Sequence, residues 1–96
     1  MEQFDCIQKE ALALYYQNKL IIVDHALERM IERNIQYEDI ESVLIHGSIY
    51  KRETDRHGDI RYNIRGADTE KKIIRLTFII KENLVIITVI REQEEV

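Results

Sequence analysis

Hydrophobic residues recur with the period of a helix along the first half of this chain and with the period of a strand along the second. Over residues 3–17, Phe4, Ile7, Ala11, Leu12 and Tyr15 fall on one stripe, which predicts an amphipathic helix. Asn18 suits a left-handed cap at its end. Leu20 to Val23 is a short apolar stretch, expected to be an extended link. Asp24 suits the N-cap of a second helix that ends near Asn34. On that helix Leu27, Met30 and Ile31 mark the centre of the apolar arc and are expected to pack on the sheet. A third helix is predicted from Tyr37 to His46, with Ile40, Val43 and Leu44 inward and Gly47 ending it.

After Gly47 the period becomes two. Ser48 to Thr54 reads as a strand, closed by a turn over Asp55 to Asp59. Ile60, Tyr62 and Ile64 then alternate with Arg61, Asn63 and Arg65, giving one apolar and one cationic face. Gly66 to Glu70 is the next turn. Ile73 to Ile80 and Leu84 to Arg91, joined by Lys81-Glu82-Asn83, are apolar on both faces, which predicts strands that are central or covered on both sides. Short turns imply an antiparallel meander. The expected architecture is one α+β domain over residues 1–96, with three N-terminal helices on one face of a four-stranded antiparallel sheet.

Composition narrows the classes. The chain has 96 residues, 45% apolar and 33% charged, a globular balance with material for one modest core. Cys6 is the lone cysteine, and His25, His46 and His57 have no ligand spacing with it or with one another. No metal and no cofactor is expected. Glu2 and Asp5 stand where a signal peptide would be basic, and the apolar runs Leu20 to Val23 and Leu84 to Ile90 are too short to span a bilayer. A cytoplasmic protein without membrane contact is expected. The net charge of −4 argues against a general nucleic-acid binder. Between Lys51 and Arg75, however, eight basic residues face five acidic ones, a local excess of +3. Glu92, Glu94 and Glu95, with Glu38, Asp39 and Glu41, hold much of the negative charge.

The chemistry on offer is basic. On a helical projection with His25 at zero, Arg29 and Arg33 fall at about 40° and 80°, so the three form one line beside the apolar arc. Two arginines stacked at i, i+4 repel by a few tenths of a kcal/mol, which suits a face that meets phosphate. The plainer reading is a solvated mixed-charge face, since Glu28 and Glu32 flank the line. In the strands, Lys51, Arg61, Tyr62, Arg65 and Arg75 are candidates. Tyr62 alternates with Ile60 and Ile64 and also reads as core; Arg61 and Arg65 also read as a solvated sheet face. Arg75 interrupts an apolar strand, where a charge is costly unless paired or open to a cleft. RNA can be cleaved without metal if such groups supply a base, an acid and a cation for the charged transition state.

The runs His-Ala-Leu-Glu-Arg-Met-Ile-Glu-Arg-Asn-Ile, Tyr-Glu-Asp-Ile-Glu-Ser-Val-Leu-Ile-His-Gly, Arg-Tyr-Asn-Ile and Val-Ile-Ile-Thr-Val-Ile resemble, in that order, the family labelled domain of unknown function 4258, over residues 20–91. His25, Arg29, Arg33, Gly47, Tyr62 and Thr88 fall on its recurring positions. The resemblance implies the fold shared by barnase, EndoU, the colicin nucleases and the RelE toxins, and with it a metal-independent ribonuclease. The order of elements is also similar to the toxin of the motility quorum-sensing regulator system. Lys51 matches that toxin's strand lysine, whereas Tyr62 and Arg75 stand near its catalytic glutamine and tyrosine and depart from them.

The leading expectation is therefore a metal-independent RNA endonuclease of RelE-like toxin type, with RNA as substrate and an antitoxin protein as partner. In it Arg29 and Arg33 bind phosphate, His25 or Tyr62 transfers protons, and Lys51 and Arg75 stabilise the transition state. The alternative is a non-catalytic interaction module that binds a protein or itself, with the His25-Arg29-Arg33 line tied structurally to acids such as Asp24 or Asp39.

Overall fold

A computed structural model describes residues 4–92. Gln3, where the first helix was expected to begin, and the acidic Glu94 and Glu95 lie outside them. Helix α1 (Asp5–Tyr16) leads to strand β1 (Leu20–Ile22), then helices α2 (Asp24–Arg33) and α3 (Tyr37–His46). Strands β2 (Ser48–Thr54), β3 (Ile60–Ala67), β4 (Ile73–Ile80) and β5 (Leu84–Arg91) follow. The sheet order is β1-β5-β4-β3-β2. From β2 to β5 the strands form the expected antiparallel meander.

The sheet has five strands and is mixed, not four-stranded and antiparallel. Leu20 to Ile22 is no mere link: it pairs in parallel with β5, Leu20 opposite Leu84 and Ile22 opposite Ile86. The reason is backbone satisfaction. The outer edge of β5 would otherwise leave its N–H and C=O groups unpaired beside an apolar core, and three residues suffice to cover part of it.

All three helices share one core with one sheet face. Ile40, Val43 and Leu44 of α3 lie with Ile64, Ile74, Leu76, Phe78 and Ile86, as expected for α3. The second helix is rotated from expectation. Ala26 and Met30 are buried, but Leu27 is 38% exposed and Ile31 is 74% exposed. Helix α2 packs chiefly on β5, near the sheet edge. There one i, i+4 row reaches the sheet, and the rest of the apolar arc faces outward. The strands β4 and β5 are central, yet only one of their faces is covered. On the other face Arg75, Thr77, Ile79, Val85 and Ile90 remain partly exposed.

Helix ends differ from expectation in two places. Asn18 and Asn34 do adopt left-handed backbone, with φ of 61° and 56°. Asp24, however, is the first helical residue, and extended Val23 occupies the cap position without a side-chain bond. Gly47 ends α3 with φ −82°, not left-handed. Its glycine is required by close approach instead. A Cβ on Gly47 would lie 2.5 Å from the Val43 carbonyl oxygen and 2.7 Å from that of Arg65. A Cβ on Gly66 would lie 2.6 Å from the Gly47 Cα. The two glycines let the end of α3 sit directly on β3.

Candidate functional site

Strand alternation and helix phase distribute the six expected residues over three places. His25, Arg29 and Arg33 lie on α2 and are exposed. The Arg33 carbonyl, at the end of that helix, accepts a 3.3 Å hydrogen bond from Arg91 Nη2. Tyr62 is in the core, 8% exposed. Its ring stacks on Phe78 at 5.6 Å and meets Phe4 edge-on at 6.2 Å. Lys51 and Arg75 are on the other side. Arg75 stands between buried Ile74 and Leu76, so it projects from the face opposite the helices. The helix line and the sheet cations therefore do not converge on one cleft.

The open face does bring cations together. Register places Lys51 opposite Asn63, Asn63 opposite Thr77, and Thr77 opposite Thr88, one polar row across four strands. Thr77 Oγ1 donates to Asn63 Oδ1 at 2.6 Å. In the next row Ser48, Arg65, Arg75 and Ile90 are successive cross-strand neighbours. A bulge between Ile49 and Lys51 inserts Tyr50 into β2. Bulges of this kind re-aim side chains at sheet edges. Tyr50 is 50% exposed.

One anion joins the two arginines. Glu92 follows β5, and its Oε2 and Oε1 accept from Arg65 Nε at 3.0 Å and Nη2 at 2.8 Å. Arg75 Nε lies 3.4 Å from Glu92 Oε2. The hydrogen bonds from Arg65 hold the Glu92 carboxyl below its ordinary range, and its attraction to both guanidiniums adds to that. The same bonds raise Arg65 further. Lys51 pairs loosely with Glu53 at 3.1 Å, both well exposed, and Arg61 with Asp55 at 3.2 Å. Such a face can grip a phosphodiester with planar forks and offer an aromatic ring to a base.

A second polar cluster, missed by sequence reasoning, is buried. Arg91 Nη1 donates to Asp68 Oδ2 at 2.7 Å, with side-chain exposures of 7% and 2%. Asp68 Oδ1 accepts the amides of Glu70 and Lys72, both at 2.8 Å. Beside it Asp39 Oδ1 accepts from Thr69 N and Oγ1, and Asp39 Oδ2 from Gln36 N at 2.8 Å. These bonds tie the β3–β4 turn to the end of α2 and the start of α3. Asp39 is thus engaged by Gln36 and Thr69. Burial pushes the Asp68 carboxyl up, but the two amides and Arg91 outweigh it and hold the group below the usual carboxylate range. Asp39 behaves alike through its bonds to Gln36 and Thr69. The signal was present: alternation from Val89 puts Arg91 on the core face, where a charge demands a partner.

A cavity of about 390 Å³ opens between α1, the end of α3 and β2, lined among others by Phe4, Gln8, Leu44 and Ser48. Gln8 Nε2 spans its wall, donating to the carbonyls of Leu44 and Gly47 at 2.9 and 2.8 Å. None of the six expected residues lines it. Among the described residues, no group of three or more His, Cys, Asp or Glu is arranged to hold a metal ion. Among them also, no helix is long and apolar enough to cross a membrane.

Fold and site together define a small α+β domain whose open sheet face carries Lys51, Arg65 and Arg75 among paired acids. The family model described as "Domain of unknown function (DUF4258)" matches residues 22–91, and the chain belongs to that family. No curated protein and no solved structure matches the chain.

Proposed function

We propose that this protein is a metal-independent endoribonuclease that holds single-stranded RNA across the open face of its sheet. The observation that carries the reading is the gathering of Lys51, Arg65 and Arg75 with exposed Tyr50 on that one uncovered face. The order of elements, read in the sequence as similar to RelE-type toxins, motivates it. Arg65 and Arg75 grip the scissile phosphate, and Lys51 stabilises the charge that develops on it. The RNA 2′-hydroxyl attacks phosphorus, and the 5′-oxygen of the next nucleotide leaves with a proton. Products are a 2′,3′-cyclic phosphate and a 5′-hydroxyl. Tyr50 takes the proton of the attacking 2′-hydroxyl and cationic Lys51 gives one to the leaving 5′-oxygen, because Tyr62 is in the core and His25 belongs to the helical layer. This differs from the roles expected for the α2 line. The test is digestion of a short single-stranded RNA by purified protein in EDTA. A cyclic-phosphate product supports the reading, and RNA left intact over hours overturns it.

A second reading has its own observation. Ile31 and Leu27 on α2, Ile21 on β1 and Tyr37 on α3 are large apolar groups left exposed, and the net charge is −4. Both suit a non-catalytic module that binds a protein or itself. Intact RNA together with concentration-dependent association in sedimentation would select this reading.

A further inference from the structure

We infer that the Arg65–Arg75 pair is a phosphate subsite and that Glu92 is its built-in competitor, so that an RNA phosphodiester and the Glu92 carboxylate are alternative occupants. The inference rests on the open face being the RNA-binding surface. Arg65 and Arg75 are direct cross-strand neighbours. Like charges in that position repel, so the pair calls for an anion between its members. In the structure that anion is a carboxylate held through both of its oxygens. Carboxylate and phosphate present equivalent oxygen pairs to a guanidinium fork.

Glu92 is placed to leave. It stands one residue beyond β5, and the last ladder partner on that strand is Arg91 with Ile74. Withdrawing its side chain breaks no strand pairing. Arg65 is half exposed and Glu92 nearly one-third exposed, so a solvent-borne anion can reach the pair. The contrast within the same molecule is Arg91–Asp68, buried and bonded on both carboxylate oxygens. That pair is built to stay. Arg65–Glu92 is open to exchange.

The experiment measures binding of a short single-stranded RNA and of inorganic phosphate to wild type, Glu92→Gln and Glu70→Gln. Glu70 is an exposed acid on the β3–β4 turn, so its variant makes the same charge change away from the pair. Glu92→Gln should bind both ligands up to about fivefold more tightly, the scale of one exposed ion pair. Glu70→Gln should bind as wild type, and adding Arg65→Gln should abolish the gain. Equal gains in both single variants would reduce the effect to net charge and overturn the inference. RNA binding that depends on Arg65 and Arg75 but is unchanged or weakened in Glu92→Gln would also overturn it, while leaving the open face as the RNA surface. No binding by any of the folded proteins would overturn both.

Discussion

Met30 and Ile31 are neighbours on α2 with opposite fates, 3% and 74% exposed. Met30→Ala should cost about 2–4 kcal/mol, the transfer and cavity terms of a buried side chain. Ile31→Ala should stay within about half a kcal/mol. Urea unfolding of the two variants checks the rotation of the helix directly, and equal losses would contradict it. The buried Arg91–Asp68 pair sets a second expectation. Removing either partner strands the other charge, so Asp68→Ala should cost about 3–5 kcal/mol. The pair also has a pH signature. Asp68 and Asp39 titrate lower in the folded protein than unfolded. Their stabilisation is therefore present above the unfolded carboxyl value, roughly 4, and is lost as pH falls through the lower folded values. Melting temperature should drop steeply below about pH 4, and the drop should be shallower in Asp68→Asn. A profile identical to wild type would contradict the assignment.

At the level of elements, the pattern of apolar residues carried most of the architecture. The helices, the four long strands and their antiparallel order all follow from periods of 3.6 and 2. What it could not carry is pairing that leaves no side-chain signature. Leu20 to Ile22 has too few residues to show a period, and its partner β5 is some sixty residues away in sequence, Ile22 opposite Ile86. The rotation of α2 escaped for a related reason: Leu27, Met30 and Ile31 are equally apolar, and only the tertiary position of the helix decides which row is inward. Gly47 shows the reverse. Its place was legible, but the cause was the approach of α3 to β3 and not a left-handed turn. Gly66→Ala should accordingly destabilise by about 1–3 kcal/mol, the range for overpacking a close contact. Calorimetry of that variant separates this from a neutral strand substitution.

For the whole molecule, the proposed RNA binding has to be tested on two separate basic surfaces. The sequence placed His25, Arg29 and Arg33 on one line correctly, because i, i+4, i+8 spacing is local. It could not show that a sheet lies between that line and Arg75, because sidedness is a property of the assembled layers. Tyr62 was legible as core from its alternation with Ile60 and Ile64, whereas Glu92 gave no sign of its partners, since Arg65 and Arg75 reach it only through the folded strands. Two charge-matched double variants decide between the surfaces. Arg65→Ala with Arg75→Ala removes two cations from the open sheet face, and Arg29→Ala with Arg33→Ala removes two from the helical layer. If RNA lies on the sheet, the first pair should reduce cleavage at least 10²- to 10³-fold, about the scale of one preorganised oxyanion donor, and the second should change it little. Three phosphate contacts, from Lys51, Arg65 and Arg75, should also give log Kd a slope near 2 against log salt, at roughly 0.7 per contact on a single strand. That slope should fall in the first double variant and hold in the second. Loss of activity confined to the Arg29 and Arg33 variant would move the site to the helix line and leave the sheet arginines as a surface ion-pair cluster.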